Sequence, residues 1–339
     1  MSAKQLTTCR KVLSTLGFML LLQFANAQYD FTTLASKLDA PKAGIGKAFV
    51  CLIYKDGKII YKKESENFDA RTQARIGVSS KWLVTALVMT FVDQGKISLD
   101  EKVSNYLPMF TKYGKNFITI RQCLSEVTGI KTCNPSGASL EEEVDGFASK
   151  CDIETNPGLA FEYNNTGITI AARICEIVGK RGFEQLMNER IIRPLGMRTT
   201  SFHSDGKPNP SSGALSAAGD YINFLSLFLN KGLFNGKQVL SEKALEEMSK
   251  VQTSLGMMKN TPKITDGYNY ALGSWSQEVD IKNNTLTLGC PGLFGTYPWV
   301  DKCRGYAAII FKKNNSGEIT KASFTDIKRL IDDVIGECK

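Results

Sequence analysis

The stretch Ile76-Gly77-Val78-Ser79-Ser80-Lys81-Trp82 runs from a loop into an apolar helical segment and sets a valine three residues ahead of a lysine. Residues three apart share a helix face, so a serine at the valine position would lay its hydroxyl against the lysine amine and lose its proton there. Val78 offers neither proton nor nucleophile, while Lys81, the base of such a pair, is present. Ser79 and Ser80 are no simple replacement, because in a helix they point about 200° and about 100° around the axis from Lys81. The only other Ser-x-x-Lys, Ser204 to Lys207, lies in a Pro/Gly/Asn-rich stretch that reads as a surface turn.

The element that must position Lys81 is an apolar helix. The periodicity predicts one over 82–94, ended by Gly95, with further helices over 120–127, 167–178, 183–192, 217–229 and 241–251. Residues 48–54 and 58–63 read as two strands joined at Asp56-Gly57, a tight hairpin turn. Strand-like alternation returns over 271–279, 285–288, 295–300 and 306–311, and an amphipathic stretch over 324–335 closes the chain. The two ends can therefore build one sheet. We expect an α/β domain from residues 28–80 and 265–339, a mainly helical domain from 81–264, and a ligand cleft between them.

The first 27 residues carry Lys4, Arg10 and Lys11, an apolar run over 12–24, and Ala25-Asn26-Ala27 before Gln28, the three-part pattern of a secretory signal peptide. The run is shorter than the roughly 20 residues that span a bilayer, and no later stretch is long and apolar enough to do so. The expectation is a secreted or periplasmic chain starting near Gln28, with no membrane span. Cleavage would remove three basic residues and no acidic one, leaving 39 against 34, a formal charge of +5. These charges are scattered without interleaved aromatics, which gives nucleic-acid binding little support.

Eight cysteines follow the leader, and in an exported chain they can pair. Cys133 and Cys151 are the best candidates, since they bracket a loop and short helix poor in core-forming residues. There is no Cys-x-x-Cys, and His203 is the only histidine, so no metal site or cofactor is expected.

Several segments together resemble the serine β-lactamase and penicillin-binding-protein superfamily, in its branch of β-lactamase-related hydrolases, esterases and D-aminopeptidases. They are Ile76 to Lys81; Asp93-Gln94-Gly95-Lys96-Ile97-Ser98-Leu99-Asp100 with Val103-Ser104-Asn105-Tyr106-Leu107-Pro108; and Ile118-Thr119-Ile120-Arg121-Gln122-Cys123-Leu124-Ser125. The series continues with Pro157-Gly158, Phe161-Glu162-Tyr163-Asn164-Asn165-Thr166-Gly167, and Arg193-Pro194-Leu195-Gly196-Met197 with Thr200-Ser201-Phe202. Each piece alone is weak; their order and spacing are specific.

The resemblance implies an antiparallel sheet flanked by the N- and C-terminal helices, with an inserted helical domain. It also implies roles. Tyr163 and Asn165 match Tyr-x-Asn, the phenol trading protons with the reacting centre and the amide bonding substrate and Lys81; standing alone, they would read as a core tyrosine and a turn asparagine. Cys290-Pro291-Gly292 falls where the family places His, Ser or Lys, any residue, then Gly. A thiol there is a poorer donor than a hydroxyl or ammonium, while Gly292 suits close approach of a ligand or marks a strand bulge. The backbone amides of Val78 and Leu293 would form the oxyanion hole, which a side-chain replacement at position 78 leaves in place.

Three readings follow. The chain is an impaired or inactive relative of these hydrolases whose cleft still binds acyl or peptide ligands. Alternatively, it is a hydrolase of an ester, amide or β-lactam with displaced chemistry, using Cys290 or water activated by Tyr163 and Lys81. The third reading is an exported module that binds cell-wall-type peptides. Asn-x-Ser/Thr sequons start at Asn164, Asn283 and Asn314, and a glycan on Asn164 would crowd the cleft mouth.

Overall fold

A computed structural model gives the fold and describes residues 29–40, 45–65, 67–202, 207–292, 294–313 and 319–338. The segment expected to be a signal peptide, His203, Ser204, Leu293 and Asn314 lie outside the described residues.

The hairpin forms where the turn chemistry puts it. Strands β1 (Phe49–Lys55) and β2 (Lys58–Glu64) flank Asp56 at φ 50° and Gly57 at φ 81°. Two successive left-handed residues match the twist of the strands they join. β2 is an exposed edge carrying Lys58, Lys62 and Lys63, charges that discourage further strand pairing.

On its other side β1 pairs antiparallel with the last strand. The sheet is completed by β3 (Asn269–Tyr270), β4 (Trp275–Val279), β5 (Thr285–Gly289), β6 (Tyr297–Asp301) and β7 (Tyr306–Lys312). The order is β2-β1-β7-β6-β5-β4-β3, antiparallel throughout. β1 and β7 are almost wholly buried because both faces of the sheet are covered. Side chains alternate between faces along a strand. Phe49, Cys51, Ile53, Ala308 and Ile310 meet α1 (Thr32–Asp39) and the C-terminal helix Lys321–Ile335 through Leu34, Leu38, Phe324, Ile327 and Ile331. Val50, Leu52, Ala307, Ile309 and Phe311 face the helical block.

That block is centred on α2 (Ser80–Asp93), buried on every side from Ser80 to Phe91, as expected of a helix with no polar face. It packs on α3 (Thr166–Gly179), and Trp82 meets Phe224 of α4 (Ala218–Leu229) edge to face at 5.6 Å. α4 in turn lies across β1, β6 and β7. Each such large apolar side chain contributes about 1.5–3 kcal/mol by burial.

Two expected elements are cut short. The helix predicted over 120–127 ends at Leu124, because Glu126 takes φ 58° and turns the chain inward. The strand predicted over 271–279 is interrupted at Gly273, φ 67°, where a β-carbon would stand 2.0 Å from the Thr85 hydroxyl of α2. Cys133 and Cys151 are bonded, with Cα atoms 6.0 Å apart; a second bond, Cys303 to Cys338, ties the chain end to the β6–β7 turn. Among the described residues no helix is long and apolar enough to cross a membrane.

Candidate functional site

The start of α2 is held from three sides. Ile76 N–H donates to Ala214 O at 3.1 Å, and a 3-10 turn over Gly77–Ser79 leads into the helix. Ser80 Oγ donates to Gly77 O at 2.6 Å and accepts from Ala214 N, while Ser79 Oγ donates to Cys290 O at 2.6 Å. Tyr221 Oη donates to Ser79 O at 2.8 Å. Both serine hydroxyls are therefore engaged in buried structural bonds. Val78, half-buried, is the residue of this turn that lines the cleft, beside Lys81. Its amide stands in the first turn, where N–H groups lack an intrahelical acceptor.

Lys81 is 1% exposed. Its Nζ donates to Glu126 Oε1 at 2.6 Å and to Asn164 O at 2.5 Å, and it lies 3.8 Å from the Tyr163 ring centroid. Glu126 is buried, and burial pushes its carboxyl up; the Lys81 charge, its hydrogen bond and the Asn164 N–H pull the other way. Glu126 is the residue that sequence reasoning missed. The available signal was a lone carboxylate inside the run Cys123-Leu124-Ser125-Glu126-Val127.

Tyr163 stacks within a cluster of Phe161, Tyr270 and Trp275, 5.2 Å from the Trp275 ring. Burial pushes its phenol well above the ordinary value, negative charge on Cys290 or Glu126 would add to this, and the Trp275 indole N–H opposes it. Neither that hydroxyl nor the Trp275 N–H is in hydrogen-bond geometry among the described residues. The phenol is thus kept protonated.

Three expectations change. The Asn165 amide was expected to bond Lys81, but the recorded partners of Lys81 are Glu126 and the Asn164 carbonyl; Asn165 is exposed at the cleft mouth. Cys290 was expected to face the substrate, yet its thiol turns inward onto Val78 O at 3.4 Å and Gly273 O at 3.7 Å. The close approach at Gly292 is made by the protein's own backbone, since a β-carbon there would stand 2.3 Å from Ile76 O. Burial also pushes the Cys290 thiol up to about 12, outweighing the nearby Lys81 charge. Asn164, whose side chain belongs to the sequon, uses Oδ1 to accept from Thr166 N, the first residue of α3, at 2.9 Å.

The cleft encloses about 630 Å³ between this wall and a second one formed by Asn260 to Ile264 with Tyr297 and Ile319. Its floor is mostly apolar around Val78, Pro291 and Tyr297. Thr296 Oγ1 on the same wall is buried and unpartnered among the described residues. A hollow of about 800 Å³ elsewhere, beside Glu184, Arg193 and Phe202, contains none of the expected site residues.

A sheet built from both ends of the described chain, a helical insert and a cleft at the start of α2 define a β-lactamase/transpeptidase-like fold. A family model described as beta-lactamase matches residues 42–324, and the chain belongs to the β-lactamase family. It is 24% identical over 234 residues to the "Putative penicillin-binding protein PbpX" of Bacillus subtilis, covering 60% of this chain and 59% of that one. The chain spans from about a third to about three fifths of the length of the first curated relatives it matches. Among solved structures, a "putative beta-lactamase from Bacteroides dorei" superposes with a TM-score of 0.81 at 24% identity, covering 91% of this chain and 99% of that one. EstCE1, a hydrolase with promiscuous acyltransferase activity, superposes at 0.74 with 19% identity over 90% of this chain and 99% of its own. At these identities the likeness shows the fold.

Proposed function

We propose that this is an exported, catalytically impaired or inactive member of the family, whose cleft binds small acylated or peptide ligands and forms no ordinary acyl-enzyme. The observation that supports this most is Val78 at the cleft wall beside Lys81, with the hydroxyls of Ser79 and Ser80 bonded away from it. None of the hydroxyls that line the cleft is hydrogen-bonded to Lys81 among the described residues. In a well-studied serine protease, loss of the nucleophile costs about 10⁶ in rate. Binding depends on different groups: the Val78 amide is a main-chain donor, and the cavity is open.

Displaced chemistry through Cys290 finds no support, since a buried thiol bonded to two carbonyls is neither ionised nor exposed to the cleft. Export is supported by the leader pattern and by the two disulfides, bonds that persist in oxidising compartments.

Incubation with a fluorescent penicillin and a fluorophosphonate, read by intact mass, tests the impairment; the expected result is no adduct, and an adduct at any serine would end this reading. Calorimetry with D-Ala-D-Ala peptides and N-acyl esters tests binding. A panel without heat would reduce the cleft to a relic.

A further inference from the structure

We propose that Glu126 is a positioning residue that withholds Lys81 from acyl chemistry, so that the cleft is disarmed twice, at position 78 and at its base. This rests on the non-acylating reading above and deepens it.

A lysine acts as a general base only through a free lone pair on Nζ. Among the described residues the neighbours of Lys81 Nζ are hydrogen-bond acceptors and an aromatic face, which hold it in place. Glu126 Oε1 accepts from it at 2.6 Å, with the two side chains 1% and 2% exposed, a charge-assisted bond in a place that water does not reach. The Asn164 carbonyl at 2.5 Å can only accept, and the face of Tyr163 at 3.8 Å attracts a cation. The chain holds Glu126 in this place at φ 58°, a conformation seldom taken by residues other than glycine. Without the Glu126 carboxylate, Lys81 Nζ loses the acceptor that holds it and can turn toward a hydroxyl at position 78.

The test compares the native chain, Val78→Ser and Val78→Ser/Glu126→Gln with a fluorescent penicillin. In the reactive variant the introduced hydroxyl oxygen bonds to the lactam carbonyl carbon and its proton passes to the Lys81 amine. The carbon–nitrogen bond then breaks, and the lactam nitrogen takes that proton. The double variant should label on the order of 100-fold faster than Val78→Ser, the low end of what a general base contributes, with a rate that climbs with pH. Equal labelling of the two variants would overturn the proposal, while labelling of the native chain would overturn the non-acylating reading instead. If neither variant labels, the ¹³Cε shift of Lys81 decides. A shift that differs between Val78→Ser and Val78→Ser/Glu126→Gln supports the clamp; identical shifts overturn it. Should the amide variant not fold, Glu126→Leu takes its place.

Discussion

Gly292 sits so close to Ile76 that a β-carbon on it would stand 2.3 Å from the Ile76 carbonyl oxygen and 3.1 Å from the Ser79 hydroxyl. The turn after β5 and the loop carrying Val78 are thus in backbone contact. Gly292→Ala should force them apart, costing about 1–3 kcal/mol as overpacking does. The expected result is a lower urea midpoint together with weaker ligand heat in calorimetry. An unchanged midpoint would show that the two segments separate freely.

Lys81→Met should be far more damaging, by about 3–5 kcal/mol, because it leaves the Glu126 carboxylate buried without a counter-ion. Lys81→Met/Glu126→Leu should recover most of the loss, since a buried pair replaced by apolar groups of similar size is often neutral. The pH sign is fixed. Burial raises the Glu126 carboxyl, so its contribution is fully present below the ordinary carboxylate range and falls as pH rises through the folded value. Denaturation of Lys81→Met should accordingly show a smaller loss at about pH 4 than at about pH 7.

Cys290 should resist iodoacetamide at about pH 8 in the native protein and react after unfolding, with peptide mapping as the readout. Its thiol is raised from 9.0 to about 12 by burial. A group raised in this way stabilises fully below its unfolded value and less as pH climbs through the folded one. Native stability should therefore decline between 9.0 and about 12, and less steeply in Cys290→Ala.

Loss of the Cys133–Cys151 bond, in Cys133→Ala/Cys151→Ala, should lower stability by about 3 kcal/mol, as expected for a loop closed across 18 residues. Hydrogen exchange should rise first in the helix Leu140–Ser149, which that bond brackets.

The features legible in the sequence are those decided by neighbours along the chain. Asp56-Gly57 announces its hairpin, and the apolar period of α2 announces a buried helix bearing Lys81. The two truncated elements meet partners outside their own segments: Glu126 accepts from Lys81 of another helix, and Gly273 lies against Thr85. The orientation of Cys290 has the same origin. Motif position puts it beside the cleft, but the carbonyls of Val78 and Gly273, distant in sequence, draw its thiol inward. Glu126 escaped notice because a carboxylate at a helix end usually faces water.

Phe49 pairs with Lys312 and Lys55 with Tyr306. The first member of each pair leaves the ribosome more than 250 residues before the second. The seam at the middle of the sheet therefore closes only once β7 has been made, whereas α2, α3 and α4 meet partners nearer in the chain. Until then β1 has one unmatched edge. The helical block can pack before that seam exists, and its sheet-facing side then waits bare for the closing strand.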